Sequence, residues 1–259
     1  MDGAELALNQ AIVVNRKSHL HFDGFQFRRY NYSPASTGDW LPRMGSEFNL
    51  NQSDHITITR CLSDGRGGGS TARTIISEEV EHLLVQNCVS TNKMGNALYL
   101  RNTRSARIEN SVFLRPMISA FLLRHCDGEV VFENNIFTDS LRSKAESNIR
   151  LAGFDGGTPD LHMPNHMYFI RAFTPETRHV LNSRSAYDAS QITDPYFGDP
   201  LFVGALELIE DGVTSSFMPD RMAGSGMDYD FEKFFATDAE AVSRGIGLQP
   251  DQFTDGLPN

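Results

Sequence analysis

The chain has 259 residues, a formal net charge of −10 at pH 7 and 40% hydrophobic residues. An acidic whole argues against a general nucleic-acid binder, and no apolar run approaches the length that a membrane span needs. Three cysteines, Cys61, Cys88 and Cys126, do not make a disulfide framework.

Met1 to Asn15 carries acids near its start and has no continuous apolar core, so it does not read as a signal peptide. AIVVNRKSHLHF, from Ala11 to Phe22, already reads as strand. The chain is therefore expected to open inside a repeat array, truncated at its N-terminus, with earlier coils upstream of Met1. An uncapped end would expose strand edges.

The array declares itself along the next stretch. SHLHFDGFQF places Leu20 and Phe22 inward before a corner at Gly24. SDHITITRCLS places Ile56 and Ile58 inward before Arg60, with Leu62 after it. From Glu79 to Phe137 the pattern sharpens into three segments with corners at Asn87, Asn110 and Asn134. Two residues before these corners stand Val85, Ile108 and Phe132; two after stand Val89, Val112 and Ile136. The corner-to-corner steps are 36, 27, 23 and 24 residues. The long first step holds an inserted loop, Asn31 to Gly45, with two prolines and the only Trp. A repeat of this length that cannot bury its own face alone implies a stacked solenoid. Gly and Asn suit a corner because they tolerate the left-handed backbone, and stacked Asn side chains can hydrogen-bond along the pile. Cys61 and Cys88 each follow a corner and should stack as buried thiols.

A further strand precedes each sharp segment: Thr74–Ser77, Leu98–Arg101 and Phe121–Arg124. Aligning Ser77, Arg101 and Arg124 puts Ile76, Leu100 and Leu123 inward and Tyr99, Arg101 and Arg124 outward on one face. Two like charges so placed repel unless an anion or a carboxylate sits between them. Guanidinium groups bind carboxylates and sulfates in a bidentate fork, and an exposed Tyr offers a flat face to a sugar ring. The pair therefore reads either as an acidic-polysaccharide site or as structural pairing, for instance with Glu78 or Asp127. The stretch from Lys93 to Arg124 is locally basic, with Glu109 its only acid, while residues 141–259 hold 18 acids against 9 basic residues.

The Asn ladder and short apolar strands, from Ala11 to Leu151, resemble the right-handed parallel β-helix proteins of the pectate-lyase-like superfamily. The resemblance implies an all-β, single-stranded solenoid over residues 1–151. Residues 152–259 follow as an irregular C-terminal cap containing a short helix. It also implies an extracellular or periplasmic location. Leu123-Arg124-His125, followed by Val131-Phe132-Glu133-Asn134-Asn135 and Phe137, is similar to a tract of the chondroitinase B and alginate lyase family. That similarity implies a catalytic Arg124. The family's Lys in the preceding coil is absent from Asn102-Thr103-Arg104, so Arg104 is the residue that could stand in. Tyr99, Arg101, Asn102 and His125 are the accompanying substrate-binding candidates. The family's calcium-binding acids find no clear match here, although Glu78, Glu79 and Glu81 lie one or two coils away.

Other groups read as structural. DGRGGG, Asp64 to Gly69, lacks the Lys-Ser/Thr ending of a phosphate loop and reads as a turn. His19 and His21 read as exposed, and His162 and His166 lack a third ligand at telling spacing. DPYFGDPLFVG is extended and Pro-punctuated. Asp230 to Arg244 carries Phe231, Phe234 and Phe235 at helical spacing, with Gly245 as its stop, and is expected to pack on the solenoid or cover its open end. The expected function is binding of an acidic polysaccharide and its cleavage by β-elimination, as a polysaccharide lyase. A non-catalytic surface or adhesion β-helix and a glycoside hydrolase on the same fold remain as alternatives.

Overall fold

Left-handed backbone marks the corners where the spacing places them. Gly24, Arg60, Asn87, Asn110 and Asn134 have φ between 48° and 74°, and Asn165 and Asp194 continue the series at 53° and 52°. The computed structural model describes residues 10–28, 46–64, 73–91, 93, 95–114, 116, 119–138, 152–157, 159–169, 192–203 and 231–253. The Asn31–Gly45 insertion and most of the DGRGGG turn lie outside the described residues.

Each coil contributes three strands. They run β1 (Gln10–Asn15), β2 (Ser18–Asp23) and β3 (Gln26–Arg28); then β4 (Ser46–Asn51), β5 (Asp54–Thr59) and β6 (Leu62–Asp64). β7 (Arg73–Glu78), β8 (His82–Gln86) and β9 (Val89–Thr91) follow, and β10 (Asn96–Arg101), β11 (Ser105–Glu109) and β12 (Val112–Leu114) lie on them. Next come β13 (Ser119–Cys126), β14 (Glu129–Glu133) and β15 (Ile136–Thr138), then β16 (Ala152–Gly157), β17 (Asp160–Pro164) and β18 (Met167–Phe169). β19 (Ile192–Thr193) and β20 (Tyr196–Phe197) are the last. Every third strand pairs in parallel, giving one six-stranded and two seven-stranded sheets, which is a parallel β-helix. The expected boundary at Leu151 falls inside this stack, because β16 to β20 extend all three sheets beyond it.

Alternation within strands builds the core. Ile56, Leu83, Ala106, Val130 and Leu161 align in one inward column, and Ile58, Val85, Ile108 and Phe132 in the next, all buried. Phe113, Phe137 and Tyr168 stack in register from the third sheet, their rings 5.5 and 6.0 Å apart. Burying a side chain of this size is worth about 1.5–3 kcal/mol, so the interior columns carry the stability of the stack.

The residue after each second-sheet corner turns its N–H inward, where no strand neighbour accepts it. A relay of side chains solves this. Cys61 N–H donates to Cys88 Sγ at 3.5 Å, and Cys88 N–H to Ser111 Oγ at 3.0 Å. Ser111 N–H donates to Asn135 Oδ1 at 2.9 Å, and Asn135 N–H to His166 Nδ1 at 3.0 Å. Cys61 and Cys88 thus stack as expected, and both are free buried thiols. His166 is fully buried, and burial pulls its imidazole down to about 3.

Phe231 and Phe234 pack as their spacing predicts, but on a 3-10 turn (Phe231–Phe234) rather than a continuous helix. A short helix, α1 (Ala239–Ser243), follows, capped by Asp238, which accepts from Ala241 N–H at 2.9 Å. Gly245, at φ 66°, takes the left-handed position just past it. This segment does not close the end of the stack. It lies as a strap along the outer face of the third sheet, where Phe231, Phe234, Ile246, Leu248 and Phe253 share an apolar cluster with Leu62, Val89, Val112, Ile136 and Met167.

The Asn corner ladder docks this strap. Asn165 Nδ2 donates to Arg244 O at 2.9 Å, Asn110 Nδ2 to Gly245 O at 3.0 Å, and Gln249 N–H to Asn87 Oδ1 at 3.1 Å. The Asn amides therefore bond along their own pile at Asn165–Asn134 (2.7 Å) and otherwise hold the strap.

Candidate functional site

The first sheet carries the arginine pair, with one correction of register. Ser77 aligns with Leu100, and Glu78 aligns with Arg101, which itself aligns with Arg124. Ile75 and Ser77 therefore point inward, and Ile76 sits outward beside Tyr99. The two adjacent isoleucines satisfy either parity, which hides the one-residue slip. Its consequence is electrostatic: a carboxylate, not a serine, neighbours Arg101, and Arg101 Nη1 lies 2.8 Å from Glu78 Oε1. Arg124 Nη1 donates to Tyr99 Oη at 3.5 Å, and the Arg73 guanidinium lies 4.7 Å from the centre of the Tyr99 ring. Tyr99 is thus flanked by cations and half-buried rather than open.

The locally basic stretch resolves in the same way. Arg104 pairs with Glu81 at 2.5 Å, Arg107 with Glu109 at 2.6 Å and also with Glu133. Lys93 is buried and pairs with Glu47 at 2.7 Å. Glu81 and Glu133 stand about one repeat from their arginines, at 23 and 26 residues, a position legible once the period is known, whereas Glu47 stands 46 residues from Lys93. Exposed pairs of this kind are worth about 0–1 kcal/mol each, but they cancel the positive field that a polyanion would meet.

Between the first and second sheets runs a second corner ladder: Arg16, Gln52, Glu79, Asn102 and His125, all with φ between 46° and 55°, then Gly156 at 71°. Side chains at this ladder project where the stack turns. Gln52 Nε2 donates to Glu79 Oε2 at 3.0 Å, joining two coils. Gly156 leaves room for His125, whose Nδ1 would lie 2.4 Å from an added Cβ. Gln52, Glu79, Asn102 and His125 of this ladder line a trough of about 660 Å³, together with Ser53, Asp54, Glu81, Arg104 and Asp127. It spans four coils, about 14 Å along the axis at roughly 4.8 Å per coil.

Of the residues singled out from the sequence, Asn102, Arg104 and His125 meet in this trough. Arg101, Tyr99 and Arg124 do not line it; they lie on the adjoining outer face of the first sheet. The trough carries four carboxylates, Asp54, Glu79, Glu81 and Asp127, against the single guanidinium of Arg104. Its walls are therefore acidic and rich in hydrogen-bonding groups.

Asp54 belongs to a second cluster that sequence reasoning missed. Its carboxylate accepts from His82 Nδ1 at 2.6 Å and lies 2.8 Å from His55 Nδ1. The hydrogen bond from His82, and then that from His55, hold its carboxyl down at about 2. The signal was present in spacing: His19, His55 and His82 are separated by 36 and 27 residues, the same steps as Gly24, Arg60 and Asn87. Of the other histidines, His162 is exposed beside Asp160 at 3.1 Å while His166 is interior, so the two share no face. Burial pushes the Cys126 thiol up, which suits a structural role.

Among the described residues no helix is long and apolar enough to cross a membrane. No protein-family model, no curated protein and no solved structure matches the chain.

Proposed function

We propose that this β-helix binds an extended polysaccharide along the corner trough. The observation that carries the reading is the four-coil lining in which Gln52, Glu79, Asn102 and His125 succeed one another at one corner. Repeating amide, carboxylate and imidazole groups at about 4.8 Å intervals suit the hydroxyl groups of a repeating polymer. With four carboxylates against one guanidinium, the trough favours an uncharged glycan over a polyanion. Such a protein is a glycan-binding wall, the surface or adhesion class of β-helix.

A second reading, elimination on a uronate polymer, is favoured by the convergence of Asn102, Arg104 and His125. Here Arg104 leaves Glu81 to neutralise the uronate carboxylate, and His125 removes the C5 proton. The electron pair forms a C4–C5 double bond as the C4–O bond breaks, and the departing glycosidic oxygen takes a proton from the His125 imidazolium or from water. This reading also accords with the resemblance to the chondroitinase B and alginate lyase family.

One experiment separates the readings. Neutral, uronate and sulfated glycans are titrated against the protein, and each mixture is followed for ultraviolet absorbance and for new reducing ends. Binding of a neutral glycan that weakens in Asn102→Gly and His125→Gly supports the first reading. Glycine keeps the left-handed corner while removing the side chain, so these variants test the groups and not the fold. Unsaturated product supports lyase chemistry, and reducing ends without it support hydrolysis. If no glycan binds at millimolar concentration, the carbohydrate reading falls.

A further inference from the structure

The stacked histidines beside the trough occupy one position in successive coils. Ser18 aligns with Asp54 and Leu20 with Ile56, which sets His19 opposite His55; Ile56 aligns with Leu83, which sets His55 opposite His82. Their rings lie 4.6 and 4.4 Å apart and are tilted by about 30°. Two of the three, His55 and His82, turn Nδ1 toward the same Asp54 carboxylate. One carboxylate oxygen of Asp54 and one ring nitrogen of each histidine all lie within 4.8 Å of one another.

We propose that Asp54, His55 and His82 form a binding site for a divalent transition-metal ion of the zinc class. Zinc bonds imidazole nitrogen and carboxylate oxygen at about 2.0–2.1 Å, so tetrahedral ligand atoms stand about 3.3 Å apart. The carboxylate oxygens are already 2.6 and 2.8 Å from the two nitrogens. An ion enters by a small spreading of the exposed His55 and His82 and the half-buried Asp54 side chains, with no movement of the sheet. Each imidazole needs only to carry its proton on Nε2 instead of Nδ1.

Two nitrogens and one oxygen select zinc, copper, nickel or cobalt over calcium and magnesium, which take oxygen ligands. Three protein ligands leave a position open to solvent. Because Asp54 also lines the trough, that open position lies at the trough's edge. The site stands on its own geometry, whether or not a glycan binds.

The test uses the untagged full chain, stripped with chelator and dialysed. Zinc chloride is titrated calorimetrically, and cobalt chloride is followed by its visible spectrum. The expected result is one ion per chain, with cobalt bands of a four- or five-coordinate nitrogen–oxygen site and no competition from calcium. His82→Gln and Asp54→Asn should each weaken binding on the order of tenfold or more. His162→Gln, an exposed histidine outside the cluster, should leave it unchanged; circular dichroism confirms that each variant is folded. Binding that is absent at millimolar zinc, or unaffected by His82→Gln and Asp54→Asn, or weakened equally by His162→Gln, overturns the proposal.

Discussion

His166 closes the inner relay, and it does so as a base that must stay neutral. Its Nδ1 accepts from Asn135 N–H at 3.0 Å, among Phe137 and Tyr168 rings. Burial lowers its pKa from 6.5 to about 3. A group with a folded pKa below its unfolded value binds fewer protons when folded. Its contribution is complete above pH 6.5 and is lost progressively as pH falls toward 3. Each unit in that window costs about 1.4 kcal/mol. Going from pH 7 to pH 5 should therefore remove about 2 kcal/mol of stability, and pH 4 about 3 kcal/mol. Asp23 and Asp54, held low chiefly by hydrogen bonds from Arg60 and His82, lose their contributions only below their ordinary 3.8. Among the described residues, His166 is the group whose lowered pKa acts between pH 6.5 and 4.5. The control is His166→Asn, which repeats the solution of the coil before, where Asn135 Oδ1 accepts from Ser111 N–H. Urea titrations at several pH values should show wild type losing stability on acidification while the variant stays nearly flat. Parallel pH slopes for the two proteins would refute the reasoning.

Three further outcomes are expected. Ile108→Asp places a carboxylate in a fully buried column and should cost several kcal/mol; a thermal melt like that of wild type would contradict the inward assignment. Lys93→Met removes the ammonium 2.7 Å from buried Glu47 and should cost about 3 kcal/mol, with Glu47→Gln added on top restoring part of it; equal stability of single and double variants would rule out the coupling. Truncation before Phe231 should uncover Leu62, Val89, Val112, Ile136 and Met167, lower Tm and raise dye binding; a soluble truncated chain with unchanged melting would count against the strap.

The fold was legible because its signal is local and repeated. Asn87, Asn110 and Asn134 each sit between apolar positions of period two, and every coil restates the pattern. The ladder's next member, Asn165, was not legible, because its step of 31 residues breaks the rhythm and LHMPNH looks like loop. The first-sheet register failed at Thr74–Ser77 for a related reason: Ile75 and Ile76 are both apolar, and only Glu78 opposite Arg101 settles the parity. The candidate site was half legible. Asn102, Arg104 and His125 were singled out and do meet, and Glu78 is the arginine partner that the structural alternative names for Arg101, whereas Glu81, weighed as a cation ligand, serves as the partner of Arg104. The strap contacts were beyond reach, since Asn110 and Gly245 are 135 residues apart and nothing in either local sequence points to the other.

The strap runs against the grain of its own scaffold. A stack of coils meets only its neighbours, so each coil can in principle fray or be added without consulting the rest. Here one segment touches the coils of Arg60, Asn87, Asn110, Asn134 and Asn165 in succession, from Gln252 back to Arg244. It works as a ruler: inserting or deleting a coil would throw every later contact out of step. It is also made late. During synthesis the third sheet must wait with its apolar face uncovered until the chain from Phe231 to Phe253 emerges, about 4–17 s after Met167 at roughly 5–20 residues per second. The strap thus turns a row of separable coils into one unit that melts together.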